Sequence, residues 1–270
     1  MKNTHHEHLV ANNLILPTVI AVVCLIFIVL YLWAVIVTNC HKRSWPMMRS
    51  ISFLLSMLFI WLSIVGPFSM YGSGELNFTS HMVGHLLLGM LAPLTLTLAA
   101  PLTLVLRTLP TKYARQLSTL LKSKLSLFFT HPVVTVVLNI GGLWLLYTTP
   151  LFSWMHTNEW VYWLVHIHIF LAGYLFTISI IYIDPIYHRK SFRYRAVALI
   201  IALAGHSILS KYIYANPPSG VSALQAEQGS MLMYYGGDII DASIIFILCL
   251  QWYKATRPKT GNIKGTAALK

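Results

Sequence analysis

The sequence predicts an all-α, polytopic membrane helix bundle of about seven transmembrane helices. Composition, run length and charge placement point to it. Hydrophobic residues make up 57% of the 270 and charged residues only 10%, with a mean hydropathy of +0.68. A soluble domain carries about 25% charged residues because its surface faces water. The apolar residues fall in runs of about 20, the length a helix needs to cross hydrocarbon. Lysine and arginine gather in alternate loops. Soluble enzymes, secreted disulfide scaffolds, disordered chains and nucleic-acid-binding domains are excluded together.

Seven segments qualify in order: Leu14–Thr38, Ile51–Phe68, Ser80–Leu106, Val133–Pro150, Val161–Ile183, Ala196–Tyr214 and Ser230–Tyr253. The third is overlong and carries Pro93 and Pro101, so a kink at Pro93 or an end near it is expected. A neighbouring helix or water must then satisfy the freed carbonyls. Gly141-Gly142 weakens the middle of the fourth. The chain divides into an extracytoplasmic tail (1–13), the membrane domain (14–253) and a basic cytoplasmic tail (254–270). The run from Leu14 is too long for a signal-peptide core and lacks a small-residue cleavage site after it, so the first span is expected to be retained.

Charge sets the orientation. The first, third and fifth loops and the C-terminal tail hold seventeen lysines and arginines, whereas the N-terminus and even-numbered loops hold two, Lys2 and Lys211. The positive-inside rule places the N-terminus outside and the C-terminus in the cytoplasm. An odd number of spans agrees with that alternation. The +12 net charge is thus a bias toward the inner membrane face and needs no nucleic-acid partner.

Ionisable groups within spans carry the functional signal, since their burial in hydrocarbon is costly. His81 and His85 open the third span at i and i+4, about 40° apart on one helical face. His166 and His168 stand in the fifth span at i and i+2, about 200° apart. One of that pair faces a common site and the other packs or hydrogen-bonds elsewhere; periodicity leaves open which. His206 lies near the middle of the sixth span. The seventh carries Met231, Met233, Asp238 and Asp241, and an Asp238–His206 contact is plausible by depth. The metal-site candidates are therefore His81, His85, His166, His168, His206, Asp238 and Met231, all in the outer half of the bundle or near its middle.

Imidazole with optional thioether, and no thiolate pair, suits copper ahead of zinc. Cys24, Cys40 and Cys249 form no dithiol motif and read as packing residues. His5, His6 and His8 stand on the same outer side and could collect metal there. The aromatic residues Trp144, Tyr147, Trp154, Trp160, Tyr162 and Trp163 read as an interfacial belt. Asp184-Pro185 reads as a turn ending the fifth span and capping the next segment. His41, His131, His156 and His188 read as loop or interface residues without partners at ligand spacing.

The stretch Ser80-His-Met-Val-Gly-His-Leu-Leu-Leu-Gly-Met-Leu-Ala-Pro-Leu, running on to Pro110, resembles the signature of the CtaG-type multi-span cytochrome c oxidase assembly factors. Further matches are His131-Pro132, Leu143-Trp-Leu-Leu-Tyr147 and Val165-His-Ile-His-Ile-Phe-Leu-Ala-Gly-Tyr-Leu-Phe176. Asp184-Pro185, His206, Gln228-Gly229 and Gly237-Asp238 follow in order. The sequence departs from the family pattern with Gly205 before His206, Tyr234 in place of a tryptophan and Asp238 in place of a glutamate.

The resemblance implies a role in building haem–copper oxidases, with His81, His85, His166, His168 and His206 carried over as candidate copper ligands. On this reading the chain is a plasma-membrane protein that takes copper from the extracytoplasmic side, where a copper carrier is an expected partner, and passes it to an oxidase subunit by ligand exchange. It breaks no substrate bond and is not an enzyme. Two rival readings stand beside it. One is a haem-binding redox protein with two axial histidines. The other is a copper or proton channel using Asp238 and Asp241.

Overall fold

The computed structural model describes residues 3–40, 44–66 and 77–258, with side chains described from residue 17 onward. Every regular element among them is helical. In hydrocarbon a helix satisfies all its backbone groups internally, which is why long apolar runs take this form. The first helix, α1 (Asn3–Cys40), runs unbroken through Pro17 and past the boundary expected at residue 13. The side chains of His5, His6 and His8 lie outside the described ones, as do residues 41–43, 67–76 and 259–270. The second helix is α2 (Met47–Ile64).

The third span, Phe78–Thr108, is broken into pieces. It comprises α3 (Phe78–Leu86), a π-helical turn at Leu87–Leu91, α4 (Ala92–Ala99) and α5 (Pro101–Thr108). Near Pro93 the α-helix gives way to the π turn and restarts with Pro93 in the first turn of α4, and a second break follows at Ala100. There φ is +51°, and Pro101 then opens a new helix. Neighbours satisfy the exposed backbone. Ser63 donates to Gly84 O at 2.9 Å and Ser56 to Ala92 O at 3.0 Å, both from α2. Proline leaves Gly89 O without its usual donor, and a side chain on Gly173 would collide with that oxygen. Glycine at 173 thus lets the fifth span close on the break.

The short helices α6 (Thr111–Leu121) and α7 (Lys124–Phe129) follow at the basic end. The fourth span consists of α8 (Pro132–Val136), a π-helical turn at Val137–Gly141 and α9 (Gly142–Thr148). It then bends by 78° into α10 (Leu151–Thr157), so this bent pair is the seventh candidate span beside six long apolar helices. The remaining spans are α11 (Glu159–Ile180), α12 (Phe192–Ala215) and α13 (Ala223–Thr256). Asn158, Ser191 and Ser222 cap their N-termini through side-chain oxygens.

Asp184 does not cap the helix that follows it, as the sequence suggested. It reaches back to α5, accepting from Leu102 N at 3.2 Å and Thr103 N at 2.7 Å. Packing joins α13 to α3 and α12, and α11 to α4. One buried cluster, with Phe78, Tyr147 and Phe152, lies at the α10 end; a second, with Phe176, Leu199 and Ile240, lies toward the basic end. His85 and His206 line a cavity bordered by members of both clusters.

Candidate metal centre

His85 is the last but one residue of α3, where the π turn begins, and is 5% exposed. His206 comes from α12 and is equally buried. Their ring centroids are 6.2 Å apart and the planes 30° from parallel. Neither nitrogen of His85, nor Nε2 of His206, has a hydrogen-bond partner among the described residues. Both rings line a cavity of about 30 Å³, together with Asn139 from the second π turn and Asp241 from α13. Asp241 is 6% exposed. Glycines make the room. A Cβ on Gly237 would stand 2.5 Å from His206 Cε1, and one on Gly89 would stand 3.3 Å from His85 Cε1.

His81 lies one turn from His85 toward the α10 end. Its Nε2 pairs with the Tyr147 hydroxyl at 3.0 Å, and Tyr147 in turn donates to Met82 Sδ at 3.8 Å. The ring of His156, on α10, has its centroid 6.1 Å from that of His81. His166 is buried in α11, donates Nδ1–H to Tyr162 O at 2.8 Å and stacks on the Tyr162 ring at 3.9 Å. His81 is within electrostatic reach of His85, His156 and His166, and His85 within reach of His166 and His206.

Packing therefore decides between the two α11 histidines. His166 faces inward. His168 is exposed on the outer face and donates Nε2–H to Leu138 O at 3.1 Å, a carbonyl of the second π turn. A side chain on Gly142 would collide with that ring. Asp238 is exposed and makes no hydrogen bond to His206 among the described residues, although it lies within electrostatic reach of that ring. Asp241, one turn further on, occupies the cavity wall instead. Met231 is 45% exposed in a separate groove beside Lys211 and Tyr234, whereas Met233 is fully buried.

The structure thus gathers His81, His85, His166 and His206, keeps the exposed Asp238 at their edge within electrostatic reach of His206, and leaves His168 and Met231 outside the group. Asp241, which the sequence offered only as a channel relay, His156, which it read as a loop or interface residue, and Asn139 stand beside them. For Asp241 the i, i+3 spacing from Asp238 was a usable signal, but helical period alone does not say which of the two turns inward. Among the described residues, no group of three or more histidine, cysteine, aspartate or glutamate side chains stands at the mutual distances that hold a metal ion. What the arrangement offers is pairs of imidazoles with unpartnered or spare nitrogens. In a dry, uncharged setting such nitrogens can grip a soft cation.

A family model described as cytochrome c oxidase caa3 assembly factor matches residues 29–255. An uncharacterized protein of Mycobacterium leprae is 28% identical over 172 residues, 61% of this chain and 26% of that protein. Uncharacterized proteins of Mycobacterium bovis and Mycobacterium tuberculosis are each 33% identical over 150 residues, 53% of this chain and 22% of theirs. The chain spans about a quarter of the length of these curated relatives. No solved structure matches it.

Proposed function

This chain belongs to the cytochrome c oxidase caa3 assembly factor family, and from that premise we propose that it holds copper as cargo between His85 and His206 during assembly of a haem–copper oxidase. The observation that supports this is the pair of buried imidazoles, with three unpartnered nitrogens, on one small cavity. Each unpaired buried polar group costs about 1–3 kcal/mol. Selection for stability would remove such a cost; selection for a ligand would keep it. Two imidazoles on opposite sides of one ion, each bonded at about 2 Å, place their centroids roughly 6 Å apart, close to the 6.2 Å between these rings.

The chemistry favours monovalent copper. That ion accepts two nitrogen donors in a near-linear arrangement, and imidazole suits it. Asp241 on the cavity wall would balance its positive charge, which the dry interior would otherwise leave uncompensated. Sparse ligation also eases release, so transfer needs ligand exchange alone and no catalytic step. On the charge-based orientation, the α10 end faces outward. Copper would arrive from an extracytoplasmic carrier across the plasma membrane's outer face and leave to an oxidase subunit. A cavity of about 30 Å³ between His85 and His206 has no room for a porphyrin as it stands.

The test is copper content after anaerobic loading of the purified full chain with Cu(I) in detergent. His85→Ala and His206→Ala are each expected to lose one ion per chain relative to wild type. Copper content unchanged in both variants would overturn the proposal.

A further inference from the structure

We propose that a groove between α12 and α13 at the α10 end holds the headgroup of a zwitterionic phospholipid, its phosphate on Lys211 and its primary ammonium on Glu227. The groove has a volume of about 310 Å³; Lys211 and Tyr214 line it from α12, and Ser230, Tyr234 and Tyr235 from α13. Tyr214, Met231 and Tyr235 are exposed there, so it opens toward lipid. Ser153 donates to Ser219 O at 3.4 Å and ties α10 to the loop between the two helices. Lys211 stands four residues before the end of α12 at Ala215. From that position a lysine carries its ammonium along the helix into the headgroup layer.

The cation is out of place by charge. Among the described residues, Lys211 is the only lysine or arginine at this end of the bundle. A lone cation in a span is costly unless something anionic meets it. Neither Glu227 nor Asp238 forms an ion pair with it. Its ammonium lies 5.3 Å from the centroid of the Tyr234 ring, a cation–π contact that leaves the N–H donors free. The hydroxyls of Tyr234 and Tyr235 also lack hydrogen-bond partners among the described residues. Ser210 and Ser230 donate to Ser207 O and Glu227 O on their own helices. An ammonium and two phenols on one groove match the acceptor oxygens of a phosphodiester.

The rim carries the opposite sign. Tyr214 donates to Glu227 Oε1 at 3.2 Å, which holds this exposed carboxylate beside the groove. A headgroup with net negative charge would be repelled by Glu227, whereas a primary ammonium would be drawn to it. Phosphoethanolamine meets both charges; phosphoglycerol meets one, and phosphocholine has no N–H to donate. One turn deeper on each helix, Ile208 and Ile239 are exposed and offer apolar surface to an acyl chain.

Native mass spectrometry of the purified full chain in detergent tests this, with phosphatidylethanolamine, phosphatidylglycerol and phosphatidylcholine of matched acyl chains as probes. Wild type is expected to bind phosphatidylethanolamine about tenfold tighter than either of the others. Lys211→Gln should bind it about tenfold more weakly, the loss of a charge-assisted hydrogen bond. Lys211→Arg, which keeps the charge, should bind as wild type does. Glu227→Gln keeps an acceptor for the Tyr214 hydroxyl and should bind phosphatidylglycerol as tightly as phosphatidylethanolamine. Both residues are exposed, so unfolding midpoints without added lipid should match wild type. Equal affinity of wild type for the three lipids, or equal affinity of wild type and Lys211→Gln for phosphatidylethanolamine, would overturn the site. Displacement of the lipid by inorganic phosphate would overturn it as well, making the groove one for a free anion.

Discussion

Asp184 caps a helix that begins 83 residues before it in the chain, its Oδ1 accepting both the Thr103 amide at 2.7 Å and the Thr103 hydroxyl at 2.6 Å. That contact holds α5 at the left-handed break of Ala100 and ties the third span to the end of the fifth. Asp184→Ala is expected to lower stability by about 1–2 kcal/mol, the usual worth of an N-cap. Thermal unfolding in detergent reads it, and an unchanged midpoint would show that the cap is dispensable.

The same residue predicts a pH effect. Burial raises its carboxyl above the ordinary value of 3.8, while the bonds from Thr103 and Leu102 pull the other way. A folded-state pKa above the unfolded one means that the group's contribution is full below the unfolded value and is lost as pH rises through the folded one. Asp184→Asn can keep the Thr103 bonds through its one carbonyl oxygen, loses the acceptor for Leu102 N at every pH, and does not titrate. Wild type should therefore lose ground against Asp184→Asn between acid and neutral pH. Parallel curves would contradict this.

Arg195, only 2% exposed, ends α11 from the side: Nη1 donates to Ile180 O at 2.5 Å, and the guanidinium lies 4.0 Å over the Tyr182 ring. A cation at a helix C-terminus meets the negative end of its dipole. Arg195→Ala should cost about 1.5–3 kcal/mol, the range for a charge-assisted hydrogen bond. Arg195→Lys should fall between, because it keeps the charge without the planar stack. Equal unfolding midpoints for Lys and wild type would deny the stacking role.

His168 is assigned to the backbone, since its bond to Leu138 O serves the π turn at Val137–Gly141. His168→Phe should destabilise the chain by about 1 kcal/mol and leave copper per chain unchanged. Loss of an ion in that variant would return His168 to the ligand set.

Gly237→Ala would put a Cβ 2.5 Å from His206 Cε1, whereas at Gly141 the nearest atom to a Cβ is 3.9 Å away. The first substitution is expected to weaken copper retention at the His85–His206 cavity at least tenfold; the second should not change it. A copper(I) chelator titration compares them, and equal retention in Gly237→Ala and wild type would show that the ring position is not critical.

Hydropathy and charge made the helical spans readable, because hydrocarbon leaves the backbone no alternative. The break at Ala100 was not readable: alanine gives no sign of a left-handed conformation, and the two prolines nearby drew attention to Pro93. Neither π turn has a residue-type signature. At the site, His85 and His206 were legible as costly groups in apolar helices. The choice of His166 over His168, and of Asp241 over Asp238, depends on which neighbour each face meets, which a single helix's periodicity does not contain. His156 was hidden by its place beyond Pro150, where only the 78° bend brings it back over His81.

The most direct test of the account is X-ray absorption at the copper edge of the full chain after anaerobic loading with Cu(I). The account predicts a first shell of two imidazole nitrogens alone, with second-shell carbon scattering from the rings. A sulfur shell at about 2.3 Å would place the ion on methionine or cysteine and contradict it.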